Sequence, residues 1–376
     1  MNPLQQLKKQ GQSVWLDFIH RDLIESGELR QMVDTDGLRG VTSNPKIFQQ
    51  AIVDSDVYDR QIEELLSSDP HISTPALYEA LAVADIRGAA DVLRPVFDQS
   101  GGADGFVCLE VSPHLAYDTS ATIAAARHLW TKVDRPNLMI KVPATQEGIP
   151  AIETLLAEGI NVNITLMFSL DHYAAVALAY LRALGKTENQ RTISSVASFF
   201  LSRITRAADS ALEEIGTEAA LALKGKVAIA NAKLVYRRFL EIFDGEAFQE
   251  FRQRGAQVQR VLWASTGTKN PEYSDVMYVE ELIGPDTVNT MPPATFDAFR
   301  DHGHVRGATI LDRVDEADAT IRKLREVGIE LDRITKQLQR DGVRKFQEPF
   351  DDLLNGLDEK RRSLQSRQTA SPQHVE

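Results

Sequence analysis

The chain has 376 residues, of which 43% are hydrophobic and 26% charged, and this composition is typical of a globular protein that folds in water. Its formal net charge of −12, without any run rich in Lys and Arg, argues against a nucleic-acid-binding surface. The apolar runs fall well short of the roughly 18 residues that a membrane span requires, and the single cysteine, Cys108, excludes an internal disulfide and a cysteine-based metal cluster.

The N-terminal sequence gives no sign of a targeting segment. "MNPLQQLKKQGQSVW" lacks the apolar core of a signal peptide and the Arg and Ser content of a transit peptide, so we expect the protein in the cytoplasm. The negative net charge has a consequence for ligands. An anionic ligand would need a pocket of specific Arg and Lys side chains, because the field of the whole protein opposes its approach.

Eight short segments rich in apolar and β-branched residues predict strands. In chain order they are "SVWLDF" (Ser13–Phe18), "GVTS" (Gly40–Ser43), "GFVCLEV" (Gly105–Val111), "LMIKVP" (Leu138–Pro143), "INVNIT" (Ile160–Thr165), "TISSVAS" (Thr192–Ser198), "RVLWAST" (Arg260–Thr266) and "TVNT" (Thr287–Thr290). Most of them are almost continuously apolar, which indicates strands that are buried on both faces.

Helical patterns with readable ends lie between these strands. Thr74 and Pro75 predict the N-cap and the first-turn proline of one helix, and "QSGG" follows its end. Ser169 predicts the cap of "LDHYAAVALAYLRAL", which stops at Gly185.

Strands that alternate with helices imply right-handed crossovers and a parallel sheet. Eight such units close into a (β/α)8 TIM barrel, which is the fold that we predict. An open doubly wound sheet is the alternative. It is disfavoured because "DFIHRD" follows the first strand, where a dinucleotide-binding fold would have a Gly-rich turn.

The sequence after the eighth strand predicts additional C-terminal helices. "ATFDAFRDHG" is the first, and a long amphipathic stretch follows it with apolar positions at Ile329, Leu331, Ile334, Leu338, Val343, Phe346, Phe350, Leu353 and Leu354. No linker separates them from the barrel, so we predict one barrel domain over residues 1–361 with N- and C-terminal helical extensions. The polar residues 362–376 are predicted to be a flexible tail.

Polar residues interrupt the apolar strands near their C-terminal ends, where a parallel barrel places functional groups. They are Asp17, Asn44, Glu110, Lys141, Asn163, Thr165, Ser198, Arg203, Ser265, Thr266 and Lys269. A barrel would bring all of these groups to one rim, which is why we treat them as one candidate site.

Each candidate also has an ordinary structural reading. Lys141 could lie at a strand edge or pair with a carboxylate, Asp17 could cap the helix that starts near His20, and Asn44 could cap the helix that starts at Pro45. Glu110 could only hold a loop, and an alternating polar strand would account for Asn163 and Thr165. Arg203 and Lys269 could simply be exposed to solvent.

The chemistry that the set supports begins with the lysine. A desolvated lysine has a lowered pKa, because burial disfavours the charged form, and a neutral amine can attack a ketone to form a Schiff base. That step eliminates and later re-adds water, for which Glu110 and Thr165 offer a carboxylate and a hydroxyl. Breaking a neighbouring carbon–carbon bond needs a base on a sugar hydroxyl, which Asp17 could supply.

Other patterns give weaker signals. His302 and His304 form His-Gly-His without a carboxylate or cysteine at metal spacing, so a loop is the better interpretation and no metal site is predicted. Cys108 reads as a core residue of its strand. "STGTKN" (Ser265–Asn270) is only a turn by itself, but beside Arg203 it could offer backbone N–H groups and a lysine to a phosphate.

The combination of segments resembles the transaldolase family over roughly residues 12–357. The resemblance is carried by "SVWLDF", "GVTSNPKIF", "CLEVSPHLAYD", "LMIKVPATQEGIPAI", "GINVNITLMFS", "SVASFFLSRI" and "TMPPATFDAF". It implies that Lys141 forms the Schiff base, and that Glu110 and Thr165 handle the catalytic water. It also implies that Asp17 is the acid and base at the cleaved bond. The residues that it assigns to donor hydroxyls and phosphate are Asn44, Asn163, Ser198 and Arg203.

The resemblance implies a reaction as well. Members of this family transfer a dihydroxyacetone unit from sedoheptulose 7-phosphate or fructose 6-phosphate to glyceraldehyde 3-phosphate or erythrose 4-phosphate. The reaction belongs to the non-oxidative pentose phosphate pathway and uses no metal or organic cofactor. Phosphorylated sugars are therefore the expected partners, with no nucleic acid and no membrane, and the sequence leaves the oligomeric state open.

The chain departs from the shorter members of this family at one place. They carry a second phosphate-binding arginine in an Ala-Ser-Phe-Arg-Asn segment after strand seven, whereas this chain reads "ASTGTKN", so Lys269 is expected to take over. The longer loops and extended C-terminus resemble the longer subgroup.

Two alternatives to a transaldolase stay open at this point. One is a fructose-6-phosphate aldolase, whose relatives have glutamine at the position of Glu110 and tyrosine at that of Phe200. The other is a barrel that only binds sugar phosphates. Such a binder would be expected to lack the lysine or the acid, and both are present.

Overall fold

The computed structural model describes residues 2–370 of the chain, with side chains described through residue 367. Eight parallel strands close into a barrel in which each pairs with the next along the chain and the last pairs with the first. The strands are β1 (Gln12–Asp17), β2 (Gly40–Thr42), β3 (Phe106–Glu110), β4 (Leu138–Pro143), β5 (Val162–Met167), β6 (Ser195–Phe200), β7 (Arg260–Ala264) and β8 (Thr287–Met291).

The helices surround this barrel and extend beyond it. They are α1 (Pro3–Lys9), α2 (Arg21–Glu25), α3 (Glu28–Gln31), α4 (Pro45–Val53), α5 (Asp59–Ser68), α6 (Thr74–Gln99), α7 (Thr119–Val133), α8 (Gly148–Ala157), α9 (Leu170–Leu184), α10 (Ser202–Ile215), α11 (Glu218–Leu221), α12 (Val227–Phe243), α13 (Glu246–Gln253), α14 (Met277–Glu281), α15 (Pro293–His302), α16 (Val314–Glu326) and α17 (Leu331–Ala370). Across residues 2–370, none of these helices combines the length and the apolarity that crossing a bilayer would need.

The predicted (β/α)8 barrel is confirmed, and the open-sheet alternative is wrong because β1 and β8 are hydrogen-bonded to each other. All eight predicted segments contain a strand. The largest shift in bounds is at β6, which runs over Ser195–Phe200 where Thr192–Ser198 was predicted. A short 3-10 helix, Gln190–Thr192, occupies the start of the predicted segment, and periodicity alone does not reveal such a turn.

The helix ends follow local capping chemistry. Ser169 caps α9 by accepting a hydrogen bond from His172 N, and Gly185 follows the last helical residue, as predicted. The predicted N-cap of α6 was wrong by one residue, because Ser73 takes that position and accepts from Ala76 N. Thr74 is already helical, and its hydroxyl donates to Asp358 at 2.9 Å instead.

The long amphipathic stretch forms helix α17, which crosses the C-terminal mouth of the barrel. Gln339 donates from Nε2 to the carbonyl of Ala144 after β4 (2.7 Å) and to that of Leu166 in β5 (3.2 Å). Further along, the Lys360 ammonium pairs with Asp59 of α5 at 2.7 Å. The barrel's own strand ends therefore hold the helix in place.

The same helix continues through Ala370, beyond residue 362, where the sequence predicts a flexible tail. Residues 371–376 of the predicted tail lie outside the described residues.

The opposite, N-terminal end of the barrel is closed by a buried polar cluster around Asp104. Its carboxylate accepts hydrogen bonds from the Ser13 hydroxyl and from Trp15 Nε1, the latter at 2.9 Å. Arg260 of β7 donates to Ser13 at 2.7 Å and lies 3.5 Å from Asp104. This floor cluster, made of Ser13, Trp15, Asp104 and Arg260, joins β1, β7 and the loop before β3. It therefore stabilises the end of the barrel opposite the mouth.

We expect Asp104→Ala to lower the free energy of unfolding by about 3–5 kcal/mol, because it leaves the Arg260 guanidinium buried without its counter-charge. Denaturation in urea, followed by circular dichroism, measures the loss. Asp98→Ala is the matched control. It removes the same side chain from an exposed pair with Arg94 and should change stability by about 0.5 kcal/mol or less. Equal losses in the two variants would contradict a structural role for the floor cluster.

Candidate active site

Lys141 lies on the barrel-facing side of β4 and is only 5% exposed. Its ammonium donates to the carbonyl of Ser43 at 2.8 Å and lies 3.2 Å from a carboxylate oxygen of Glu110. The Phe346 ring of α17 covers it, with the ring centroid 5.8 Å from Nζ. The alternative that Lys141 lies at a strand edge is wrong, because β4 pairs with a strand on each side. The alternative that it pairs with a carboxylate is correct.

The loop after β2 explains how the ammonium is held. The Ser43 hydroxyl donates to the carbonyl of Cys108 at 2.8 Å, which turns the Ser43 carbonyl toward Lys141. Asn44 then caps α4 by accepting from Ile47 N at 3.1 Å, and Pro45 fills the first helical position. The segment Ser43-Asn44-Pro45 therefore ends a strand, binds the lysine and starts a helix within three residues.

Strand register places the neighbouring polar groups beside the lysine. Glu110 is the register partner of Lys141 on β3, and Asn163 is its partner on β5. Partners on adjacent strands point to the same face of the sheet, so all three face the interior of the barrel. Thr165, the partner of Pro143, lies two residues further toward the mouth.

Glu110 and Thr165 both present polar atoms without a partner. Neither carboxylate oxygen of Glu110 has a hydrogen bond of good geometry to another described residue, and the buried Thr165 hydroxyl has none either. Burial raises the pKa of the Glu110 carboxyl above its usual range, and the nearby Lys141 ammonium opposes this. Buried polar atoms are rarely left unpaired, so this pair is suited to hold a water molecule or a reacting hydroxyl beside the amine.

Asp17 ends β1, across the barrel mouth from β4. Its carboxylate accepts from the Thr42 hydroxyl at 2.7 Å, and Thr42 is in turn 2.7 Å from the hydroxyl of Thr290. Burial raises the pKa of Asp17, against the opposing effects of Lys141, the Thr42 hydrogen bond and Arg203. The capping alternative is wrong, because His20 itself caps α2 through Nδ1.

A cavity of about 100 Å³, the mouth cavity, lies above Lys141 at the C-terminal end of the barrel. Seven of the candidate residues line it: Asp17, Asn44, Lys141, Thr165, Ser198, Arg203 and Ser265. Asn44 uses its side-chain oxygen as the helix cap, so its amide NH2 is what it can offer to a ligand. Glu110 is within reach of the amine but lines a different cavity on its other side.

The other three candidates, Asn163, Thr266 and Lys269, do not line the mouth cavity. Thr266 is buried and its hydroxyl donates to the carbonyl of Thr290 at 3.0 Å. Asn163 lies fully buried beside the lysine on β5, where its amide donates to Cys108 Sγ at 3.2 Å and its oxygen accepts from the Ser198 hydroxyl at 2.7 Å. Its position supports Ser198 from below.

Lys269 is exposed on the loop after β7. It borders a neighbouring cavity of about 210 Å³ together with Arg206 and Asn270. Ser265 from the same loop lines the mouth cavity.

Arg203 is the cation at the rim of the mouth cavity. Its guanidinium lies 5.1 Å from the Phe200 ring centroid and 5.5 Å from that of Phe346, and its Nη1 is buried without a hydrogen-bond partner among residues 2–367. Burial and the neighbouring Arg206 lower its pKa. A guanidinium stacked between two rings with free N–H groups is suited to bind a doubly charged oxyanion.

Sequence reasoning missed three polar or aromatic groups of this cavity, Thr42, Thr290 and Phe346, whereas Ser265 was among the candidates. Thr42 on β2 and Thr290 on β8 point into the barrel like Asp17 on β1, so the alternation of residues along the predicted strands could have identified them. Ser265 adopts a left-handed backbone with φ of 57°, and its hydroxyl lies 2.6 Å from that of Ser202. Phe346 was predicted only as an apolar helix position, since no local pattern reveals which cavity a distant helix covers.

The described part of the chain contains no group of three or more His, Cys, Asp and Glu side chains placed to hold a metal ion. His302 bonds Asp275 at 3.0 Å and Asp301 at 3.2 Å on the surface. The loop interpretation of His-Gly-His is wrong for His302, which is the last residue of α15, and is correct for Gly303 and His304, which follow the helix. Cys108 is buried in β3, as predicted.

Known proteins similar to this chain are transaldolases. A profile of the transaldolase/fructose-6-phosphate aldolase family matches residues 14–357. Transaldolase 2 of Nostoc punctiforme is 47% identical over 374 residues, which cover 96% of this chain and 97% of that protein. The transaldolase of Thiobacillus denitrificans is 48% identical and covers 94% and 99%, and that of Thermobifida fusca is 47% identical and covers 94% and 97%.

The raised pKa of Glu110 predicts a pH-dependent difference between the wild type and Glu110→Gln. A carboxyl whose folded-state pKa is raised stabilises the fold fully below its unfolded pKa of about 4.3, and this contribution is lost as pH rises through the folded-state pKa. Gln does not titrate, so the unfolding free energy of the variant should rise relative to the wild type with pH, by at most about 1.4 kcal/mol per pH unit.

Urea denaturation at a series of pH values measures this difference. Glu188→Gln, in an exposed loop, removes the same charge and serves as the control for net charge alone. Parallel stability curves for the wild type and Glu110→Gln would mean that burial does not hold a proton on this carboxyl.

Proposed function

This chain belongs to the transaldolase/fructose-6-phosphate aldolase family, and from that premise we propose that it is a transaldolase that moves a dihydroxyacetone unit between sugar phosphates. The proposed donors are sedoheptulose 7-phosphate and fructose 6-phosphate, and the proposed acceptors are glyceraldehyde 3-phosphate and erythrose 4-phosphate. One observation carries the proposal. Lys141 and Asp17 line the same small cavity at the barrel mouth, and a Glu110 oxygen lies 3.2 Å from the amine.

The first step is attack of the Lys141 amine on the ketone carbon of the donor. In its resting contacts the ammonium can pass a proton to Glu110, 3.2 Å away, which leaves the amine lone pair free to attack. The Ser43 carbonyl, 2.8 Å from Nζ, holds the amine in place while the proton moves. The product is a carbinolamine that still carries the former ketone oxygen.

Loss of that oxygen as water gives the Schiff base. Glu110 returns its proton to the departing hydroxyl, and the Thr165 hydroxyl is the second group that can orient it. The raised pKa of Glu110 suits this role, because a carboxyl that holds its proton at higher pH can act as an acid. Charge is conserved, since ammonium and carboxylate give iminium and carboxylate.

Cleavage of the carbon–carbon bond requires a base on the hydroxyl of the adjacent carbon. Asp17 faces the mouth cavity from β1 and is fixed by Thr42 at 2.7 Å. It takes the hydroxyl proton as the bond breaks, and the iminium accepts the electron pair as an enamine. The aldehyde leaves, an acceptor aldehyde takes its place, and Asp17 returns the proton to the new hydroxyl.

Donor binding is assigned to the remaining groups at the mouth. Asn44 and Ser198 line the cavity and can bond the hydroxyls of the dihydroxyacetone unit, with Asn163 supporting Ser198 at 2.7 Å. Arg203 is proposed as the principal phosphate ligand because it lines the cavity with an unpartnered Nη1. Lys269 stays a predicted second ligand, in keeping with its place on the loop after β7.

The location and domain organisation are also proposals. The cytoplasm suits an enzyme that acts on phosphorylated sugars and has a single, buried cysteine. We infer that residues 1–361 work as one catalytic domain, since α17 packs against α4 and supplies a ring to the mouth cavity.

We predict that Lys141→Ala folds but does not transfer dihydroxyacetone. The fold should survive because Glu110, whose pKa burial already raises, can stay neutral without the ammonium. Fructose 6-phosphate followed by borohydride should leave a reduced three-carbon or six-carbon adduct on wild-type Lys141, and mass spectrometry of a digest locates it. Lys233 is the internal control in that digest. It is 4% exposed but bound to the carbonyls of Thr309 and Asp312, and should carry no adduct.

An adduct at another lysine, or none, would overturn the catalytic assignment. Unfolding of Lys141→Ala would instead point to a structural ion pair. The aldolase alternative has its own readout, because free dihydroxyacetone should accumulate from fructose 6-phosphate without erythrose 4-phosphate only if the enzyme is an aldolase.

We expect Arg203→Lys to weaken the binding of phosphorylated donors. A point charge replaces a planar fork, and the loss of about 1.5–3 kcal/mol of charged hydrogen bonding corresponds to a rise of about 10- to 150-fold in KM. Steady-state kinetics with fructose 6-phosphate measure it. Lys269→Ala is the comparison, and we expect a smaller effect because Lys269 is exposed outside the mouth cavity. A larger effect at Lys269 would make it the main phosphate ligand.

A further inference from the structure

A second cavity adjoins the catalytic pair from the side opposite the barrel mouth. This side cavity, of about 180 Å³, lies between β3 and helices α6 and α7, and its walls include Tyr78, Leu109, Glu110, Ala125 and His128. Its volume is well above the roughly 10–15 Å³ that one buried water needs. Glu110 lines the side cavity, whereas Lys141 lines the mouth cavity, so the pair of side chains stands between the two spaces.

Helix α17 separates the two cavities with two rings one turn apart. Phe346 covers the mouth cavity, and Phe350 lines the side cavity, where it packs edge-on against Tyr78 at 5.6 Å between centroids. The side cavity therefore does not share the roof under which the sugar binds.

Polar groups lie at both ends of the side cavity. The inner end is lined by Glu110, whose two oxygens are buried and one of which lies 3.2 Å from the Lys141 ammonium, and by the hydroxyl-bearing Ser112. The outer end has Glu79, which bonds His128 at 2.7 Å, and the His128 side chain is 50% exposed. A wholly apolar cavity stays dry, but one with polar groups along its length can hold water. Burial and the carboxylates of Glu110 and Glu79 raise the pKa of Tyr78, which lies between the two ends.

The proposed reaction creates a need for such a space. One water leaves for every Schiff base that forms, as the ketone carbon exchanges its bond to oxygen for one to Nζ, and one water returns when the Schiff base is hydrolysed. The mouth cavity in which the donor reacts measures only about 100 Å³, whereas the side cavity measures about 180 Å³. The side cavity therefore offers the displaced water more room than the space that the donor has to share.

We propose that the side cavity is the passage through which this water leaves and returns, with Glu110 as the group that hands it between the two spaces. The proposal rests on the proposed function, because it assigns a path to the water of the Schiff-base step. Ser112 and Ala125 line the passage without touching the amine, and Glu79 and His128 form its outer end.

The test fills the passage and measures the exchange of oxygen. Wild-type enzyme, Ser112→Leu and Ala125→Leu are incubated with fructose 6-phosphate in water enriched in oxygen-18, without acceptor, and the label in the ketone oxygen is measured. Each sample is also trapped with borohydride at short times, which gives the rate of Schiff-base formation. The readout is the ratio of label incorporated to Schiff bases formed, after subtraction of exchange without enzyme.

Both filled variants should show this ratio reduced several-fold, because the same water, held in the site, returns to the carbon before bulk water replaces it. Ala124→Leu on the exposed face of α7 is the matched control and should keep the wild-type ratio. Two variants on different walls protect the test against a failure of either one to fold, which thermal unfolding reveals.

An unchanged ratio in folded, trappable variants would overturn the passage and assign water exchange to the mouth. Absence of trapping in the wild type would instead overturn the proposed function, so the two failures are distinguishable. A fall in the trapping rate with an unchanged ratio would also contradict the proposal, since it would mean that filling the cavity only displaces Glu110.

Discussion

The ammonium of Lys141 and the carboxylate of Glu110 lie 3.2 Å apart inside a closed barrel, and the rest of the site is arranged around the cost of keeping them there. Burying an ion pair costs several kcal/mol per ion unless other contacts compensate. The Ser43 carbonyl and the Phe346 ring compensate the cation, while the carboxylate has no contact of this kind besides the lysine itself. The Lys141 ammonium is therefore stabilised by several contacts, whereas the Glu110 carboxylate keeps acceptor positions that can exchange a proton.

Helix α17 couples this chemistry to the far end of the chain. Gln339 ties it to the ends of β4 and β5, and the same helix places Phe346 over both the amine and Arg203. Gly342 allows the close approach, because a Cβ there would lie 2.9 Å from the Leu166 side chain and 3.5 Å from Arg203 Nη1. The cover over the mouth cavity and the position of Arg203 therefore both depend on one helix.

Much of the site could be predicted from the sequence because strand phase is local information. Once Lys141 is placed on the inner face of β4, register brings Glu110 and Asn163 beside it. The position of Phe346 could not be predicted in this way, since helical periodicity says that a ring is buried but not against what. The same applies to Lys269, whose loop conformation is set by tertiary contacts, and to the N-cap of α6, where adjacent Ser73 and Thr74 have the same capping chemistry.

Two carboxyls with raised pKa values in one site would compete for the same proton unless their surroundings differ. Asp17 is tied to the Thr42 hydroxyl and faces the mouth, where a carbon–carbon bond would break. Glu110 pairs with Lys141 on one side and lines the side cavity on the other. The two carboxyls line different cavities, so the proton transfer to the sugar that we propose for Asp17 and the exchange of water that we propose for Glu110 do not share one space.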